Sequence, residues 1–499
     1  MYLPLRTLRL RTPWATYIVT CPPGAPFGPM VASIHMPMAV ALAEGARLVV
    51  LAPRRSLNPD VFRLTGTAGL RLHVVGGVSG VCLRAVVKLR EDVAVWLGSL
   101  MHVLSVLPLA DTARQILELV AALASYTARR AAVVRAWVDR PWKHARKADE
   151  HLRMARRSLA RLKTHLRIGK AFGKLRQMWS RASGALGSPE QVRKLWHGGL
   201  QVSQSRYRRQ VYFGTDIRRL MATPRQCVRL VPALERRAEA AAVRVGLRPD
   251  AALVALHIRE AGYRPAYTGH VERPIDQHRT ARVETYSRAV SALVDAGMTV
   301  VRIGDPTMTP FSAPGVVDLA TSSDQDAALL QLWSVSRSRF LFAGESGPSE
   351  LALLFGVPLL QANVVNFDSN YPVRPLDRYT IKRARRPGEE HCYTLEEMIR
   401  PSFLGGKDEV DTRAYLDNTA DELLAAALEM LDVLRAPQQP TPEQLAFRDL
   451  MTRLVTGDGS VEAFMRKLGA VPASAGEGVI CRFFAERYLR DGALPPVSA

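Results

Sequence analysis

The stretch Arg339–Asn363, RFLFAGESGPSELALLFGVPLLQAN, constrains the fold more than any other part of the chain. Phe340–Ala343 is an apolar run of strand length. Gly344, Glu345, Ser346 and Gly347 form a turn, and Pro348 suits the first turn of a helix, where its missing N–H costs nothing. Gly356 stands where a helix C-cap glycine belongs, and Val357–Leu360 opens the next strand. The loop therefore sits at the carboxyl end of a strand and the amino end of a helix. Open α/β sheets bind phosphorylated ligands there, because backbone N–H groups and the helix dipole both favour an anion. A glycine turn between strand and helix also occurs with no ligand, so this loop alone does not decide the matter.

Two further segments end in the same way. Leu253–Leu256 is a buried-strand run, and His257, Arg259 and Glu260 follow where it stops. Arg259 offers a planar fork of donors that matches a phosphate; the alternative is a surface ion pair with Glu260. The polar stretch from Ala261 to Arg282 reads as an ordered loop over a cleft, bending at Gly262 and Gly269. Thr299–Ile303 is a third strand, closed by Gly304, Asp305 and Pro306. Asp305 either meets a ribose or base edge or serves an ordinary turn before proline. Three such strand ends bring their polar groups to one rim of one sheet.

From about residue 253 to 363 the chain resembles a family of bacterial glycosyltransferases of GT-B-like architecture. Three elements carry the resemblance: His257-Ile258-Arg259-Glu260-Ala261-Gly262-Tyr263, Gly304-Asp305-Pro306, and Glu345-Ser346-Gly347. The His-x-Arg element is similar to that of fucosyltransferases, where the arginine holds the donor diphosphate. The Gly-Glu-Ser-Gly-Pro-Ser-Glu run is similar to the donor-phosphate loop of bacterial heptosyltransferases, which usually carry a histidine at the place of Glu350. The resemblance implies an α/β, GT-B-like pair of Rossmann-type parallel-sheet domains that transfers a hexosyl or deoxyhexosyl group from a nucleotide sugar. It implies Arg259, His257 and Glu260 as catalytic residues. It implies Gly304, Asp305, Gly344, Glu345, Ser346, Gly347, Ser349 and Glu350 as donor-binding residues.

At 499 residues the chain has room for two or three domains. Residues 1–84 read as an amino-terminal Rossmann-like half on the acceptor side: strands Trp14–Thr20, Arg47–Ala52 and Leu70–Val75, with a helix over Pro29–Glu44. Residues 85–215 show no strand pattern and read as a basic helical insertion. Residues 216–400 alternate strands and helices, as in a parallel doubly wound nucleotide-sugar-binding domain. Residues 401–499 are helical, over Thr419–Leu434, Pro442–Val455 and Val479–Leu489, and the resemblance implies that these helices brace both halves.

Net charge is +22, and between Arg129 and Arg181 there are 17 Lys or Arg against 3 acids, so most of the excess lies in the insertion. Residues 129–200 read as a surface for anionic lipid, as a site for nucleic acid (the least favoured of the three), or as a solvated helical hairpin. Five cysteines without CxxC spacing offer no zinc site or disulfide framework and suit a reducing cytoplasm. No apolar run reaches the ~18 residues of a membrane span. Arg6, Arg9 and Arg11 with no acid before Glu44 suggest a targeting segment, but Thr16–Thr20 is too short for its apolar stretch and suits a first strand. The expectation is a cytoplasmic protein, peripheral on the inner face of the plasma membrane.

The chemistry expected is metal-independent transfer from a nucleotide sugar to a surface or secreted glycan or a lipid-linked acceptor. No cofactor is called for beyond the donor substrate. The departing diphosphate is stabilised by Arg259 with the N–H groups of Ser346, Gly347 and Ser349. Glu260, His257 and Asp60 remain open as the general base. Two other readings stay open: a nonhydrolysing sugar-nucleotide epimerase, and a non-enzymatic basic protein that binds membrane or nucleic acid.

Overall fold

A computed structural model describes residues 6–10, 16–20, 27–43, 45–52, 58–67, 70–76, 227–268, 271, 274–366, 374–386, 388–398, 403, 413–436, 438–456 and 478–490. The chain divides into two compact units, Met1–Arg84 with Thr215–Ala499, and Ala85–Gly214. The second, with the basic helices expected over 85–215, lies outside the described residues.

The amino-terminal sheet contains β1 (Arg6–Leu10), β2 (Thr16–Thr20), β3 (Arg47–Leu51) and β5 (Arg71–Val75), in the order β1-β2-β3-β5. Strands β2, β3 and β5 are parallel, as expected. The helix Phe27–Ala43 forms the crossover from β2 to β3, and Gly45 follows it with φ +59°, the left-handed geometry that glycine adopts without penalty. The arginine-bearing start of the chain is an antiparallel edge strand, β1. Between β3 and β5 stand a 3-10 turn, Pro59–Phe62, and β4 (Leu64–Gly66), which pairs antiparallel with β6 (Val228–Leu230).

The second sheet is built from β7 (Leu253–His257), β8 (Thr299–Arg302), β9 (Val316–Asp318), β10 (Phe340–Gly344), β11 (Leu359–Val364), β12 (Arg378–Ile381) and, after the antiparallel pair β13 (Arg383–Arg385) and β14 (Ala414–Leu416), β15 (Val479–Ile480). Its order is β15-β12-β11-β10-β7-β8-β9, and all neighbours are parallel. The chain runs outward from β7 through β8 to β9, then returns at β10 on the opposite side of β7. The order thus reverses between β7 and β10. A crevice opens at such a reversal, because the helices after the two strands pack on opposite faces.

Apolar residues explain the placement. Every residue of β7, β10 and β11 is buried, as a sheet covered on both faces requires. Trp333 on the helix Ala327–Arg337 is fully buried, and the Tyr286 and Phe342 rings meet at 5.3 Å. The chain is therefore α/β, a pair of Rossmann-type sheets of GT-B-like kind, with helices Ala420–Arg435, Pro442–Thr456 and Arg482–Arg490 toward the carboxyl end.

Some boundaries differ from the sequence reading. Val479–Ile480, expected as the first turn of a helix, joins the sheet as β15, and the helix starts at Arg482. Before the helix Ala327–Arg337, Ser322 Oγ accepts the Asp324 N–H at 3.2 Å and so shapes the turn. Among the described residues no helix is long and apolar enough to cross a membrane.

Candidate functional site

The register of the central strands fixes which chain ends meet. Ala343 of β10 pairs with His257 of β7, and Gly344 pairs with Ala362 of β11. The strands stop level with one another, so the His257–Glu260 segment and the glycine loop lie side by side at the reversal point. A Cβ on Gly344 would rest 3.6 Å from the Arg259 Cβ, ordinary contact distance.

The loop after β10 is closed by its own hydrogen bonds. The Ser349 hydroxyl donates to the Gly344 carbonyl at 2.9 Å. The Ser349 and Glu350 N–H groups donate to the Ser346 and Gly347 carbonyls, each at 3.1 Å. Both the hydroxyl and the N–H of Ser349 thus close the loop, where the N–H was expected at the diphosphate. Gly347 also touches the other lobe. A Cβ placed on it would come within 2.7 Å of the Gly28 nitrogen, at the start of the helix Phe27–Ala43. Two helix amino ends therefore meet at this loop, and both lobes present partial positive charge there. One turn further on, Glu350 pairs with buried His35 of the first lobe. The Glu350 carboxylate thus bridges the two lobes.

Arg259 follows β7 with a side chain 13% exposed. Its Nη2 lies 3.6 Å from Oδ1 of Asp276, which is buried. The same Asp276 oxygen accepts from Arg279 Nη2. Arg279 Nη1 in turn lies 3.7 Å from Glu345 Oε1. Glu345 is buried and accepts the Val365 and Asn366 N–H groups at 2.9 Å each, which ties the end of β10 to the end of β11. These bonds commit its carboxylate to the scaffold. The Ala281 N–H donates to the Arg259 carbonyl at 2.9 Å and holds the segment after Pro274–His278 against the end of β7.

Glu260 and Arg259, weighed above as an ion pair, have separate partners. Glu260 Oε1 accepts from Arg302 Nη2 at 2.6 Å and Oε2 accepts the Thr309 N–H at 3.0 Å. Arg302 is wholly buried and also bonds Asp318 at 3.0 Å. Both Glu260 oxygens are thus committed to the scaffold of this rim. His257 is buried, and burial first, then the charges of Arg259 and Arg302, lower its pKa to about 3. It is a neutral strand-end residue at any ordinary pH and does not reach the crevice as a base. Asp60 lies in the 3-10 turn of the first lobe, 3.5 Å from Arg63.

The third strand end joins the same rim. Gly262 adopts φ +113°, and a Cβ there would approach Thr307 Oγ1 to 2.9 Å, so the loop after β7 packs on the loop after β8. Asp305 Oδ1 accepts both the N–H and the hydroxyl of Thr307, at 3.0 and 2.5 Å. That is the turn role of the two offered above. A Cβ on Gly304 would meet Met308 Sδ at 2.2 Å and displace that side chain, and the Gly304 N–H donates to Gln331 Oε1 at 3.1 Å.

Sequence reasoning passed over Asp276, Arg279 and His35. Asp276 and Arg279 stand three apart, the spacing of a same-face pair in a helical turn, which was a usable signal. His35 lies in an apolar helix and gave none. The chain also carries one Asp-x-Asp run, Asp324-Gln325-Asp326. Both carboxylates are taken by Arg244, at 3.1 and 2.9 Å, and Asp326 also by Arg237.

No family model and no curated protein matches the chain. Among solved structures it is similar to a glycosyl transferase family 9 protein from Veillonella parvula, at TM-score 0.23 and 15% sequence identity, over 33% of this chain and 43% of that one.

Proposed function

We propose that this chain is a glycosyltransferase that moves a sugar from a nucleotide-sugar donor to a glycan or lipid-linked acceptor, with the donor diphosphate over the carboxyl ends of β7 and β10. One observation carries the reading: Arg259, a partly open guanidinium, stands at the reversal point of a parallel sheet directly beside the glycine loop. A cationic fork and two converging helix amino ends favour a doubly charged leaving group more than an uncharged ground state, which is what a glycosyl-transfer catalyst requires. Glu260 bonded to Arg302 and a neutral, buried His257 favour a transition state driven by departure of the diphosphate over one driven by a strong base. The reading includes transfer without a metal, with arginine charge in the place of a divalent cation.

The test is release of nucleoside diphosphate from a panel of UDP-, GDP-, dTDP- and ADP-sugars, with and without glycan acceptors. Release that depends on an acceptor supports the proposal. Acceptor-free conversion of the sugar indicates an epimerase instead, and no turnover with any donor overturns the enzyme reading.

A further inference from the structure

We infer that Tyr267 is a stacking platform for the nucleobase of the donor, with Asp305 beside it as acceptor for a ribose hydroxyl. The inference rests on the proposed donor site and extends it from the diphosphate to the nucleoside.

The short helix Tyr263–Thr268 begins just after Arg259 and Glu260. Its two tyrosines stand one helical turn apart, so their side chains share a face. The rings meet at 5.1 Å between centroids, with their planes inclined by 32°. Tyr263 is half-buried and reaches the Phe27 backbone, next to the contact between Gly28 and Gly347 of the glycine loop. Tyr267 leans on this inner ring and is itself 40% exposed. A ring braced in this way presents a fixed aromatic surface at little entropic cost, and every nucleobase has a π face to lay on it.

A carboxylate stands at the foot of the pair. Gly262 packs on Thr307, whose N–H and hydroxyl both bond Asp305 Oδ1. The turn uses that oxygen alone; among the described residues Oδ2 accepts no hydrogen bond. Burial first, then the Asp305 charge, raise the pKa of Tyr267, so the carboxylate lies within electrostatic reach of the outer ring.

Two points favour a nucleoside over a sugar of the acceptor. Arg259, Tyr267 and Asp305 all belong to the second lobe, at the carboxyl ends of the adjacent strands β7 and β8. In doubly wound sheets that bind dinucleotides, phosphates lie at one strand end and a carboxylate further along the chain takes the ribose hydroxyls. A free carboxylate oxygen also repels phosphate, which sets the uncharged half of the donor beside it.

The test is titration calorimetry on the full chain with UDP, GDP, dTDP, ADP and inorganic pyrophosphate. The wild type binds at least one nucleoside diphosphate, and prefers it to pyrophosphate. Tyr267→Ala weakens that nucleotide by about tenfold and leaves pyrophosphate binding unchanged. Tyr267→Leu, which keeps apolar bulk without a π face, is measured beside it and shows the same loss; Tyr267→Phe binds like the wild type. Asp305→Asn weakens the nucleotide and does not weaken pyrophosphate. A folded Tyr267→Ala or Tyr267→Leu variant that keeps the wild-type preference, as it would if the ring served the acceptor, overturns the inference and leaves the diphosphate site standing. Equal losses for nucleotide and pyrophosphate also overturn it, as does a wild type that binds pyrophosphate as tightly as every nucleotide. A wild type that binds neither overturns the donor site, and this inference with it.

Discussion

Replacing Gly347 by alanine tests whether the two lobes meet at the donor loop. The added Cβ would lie 2.7 Å from the Gly28 nitrogen and 3.0 Å from its Cα. Neither neighbour is a side chain that can swing aside; both belong to the first turn of the helix Phe27–Ala43. Restoring ordinary contact needs a separation of roughly 0.7 Å between the two backbones, and overpacking of this kind costs about 1–3 kcal/mol. At roughly 2 °C per kcal/mol for a unit of this size, the melting temperature falls by about 2–6 °C. The larger effect is on function, since a shift approaching 1 Å at a reacting group costs on the order of tenfold or more in turnover. Gly28→Ala probes the same contact from the other side, with a Cβ 2.7 Å from Gly347 Cα, and shows the same loss. Gly76→Ala is the control, because nothing stands within 4 Å of its Cβ. The assay is a thermal melt together with acceptor-dependent diphosphate release at 25 °C. Wild-type melting and turnover in Gly347→Ala would refute the claim that the lobes touch at this loop.

Four further outcomes are expected. Arg259→Gln removes nucleoside-diphosphate binding by calorimetry while the melting temperature stays near that of the wild type, because Asp276 keeps Arg279 as its partner; undiminished binding counts against the site. Arg302→Met strands Glu260 and Asp318 and destabilises the protein by roughly 3 kcal/mol in urea titrations, whereas a change below about 1 kcal/mol would show that the network contributes little. His257 has a folded pKa of about 3 against 6.5 when free, so below pH 6.5 the unfolded chain takes up a proton that the folded chain refuses. The stability it confers is present above pH 6.5 and is lost at roughly 1 kcal/mol per pH unit on acidification toward 3; His257→Gln flattens that slope in pH-dependent melts, and an unchanged slope removes the assignment. Turnover survives excess EDTA, and loss of activity restored by Mg²⁺ or Mn²⁺ would overturn metal-free transfer.

The sequence made the central sheet legible because its strands are apolar throughout and are punctuated by glycine. Gly356 and Gly297 end their helices with positive φ, as their positions suggested. β1 was hidden because Arg6 and Arg9 resemble part of a targeting segment, and β12 because Arg378-Tyr379-Thr380-Ile381 lacks an apolar run. Arg378 is buried there because Glu429, on a helix distant in sequence, and the Pro375 and Asp377 carbonyls take its donors. The polar rim was legible as a set of strand ends, and the register brings those ends together. What single residues do at the rim was not legible. Glu260, Glu345 and Glu350 each stand beside a promising neighbour in sequence, yet each is claimed by a partner at least twenty residues away: Arg302, Val365 and His35. Such partners are set by the fold and leave no local trace.

The pairing of β4 with β6 bears on how this protein can be taken apart. Gly66 and Val228 are register neighbours, and the Thr67 N–H bonds the Cys227 carbonyl at 2.7 Å. Topologically, the intervening chain is a detour that leaves after β5 and rejoins within about one strand's length, roughly 15–20 Å. A bridge of about six extended residues spans that gap. Excision of 77–226 would therefore leave a smaller, nearly charge-balanced chain in which the proposed sugar transfer can be assayed without the cationic stretch.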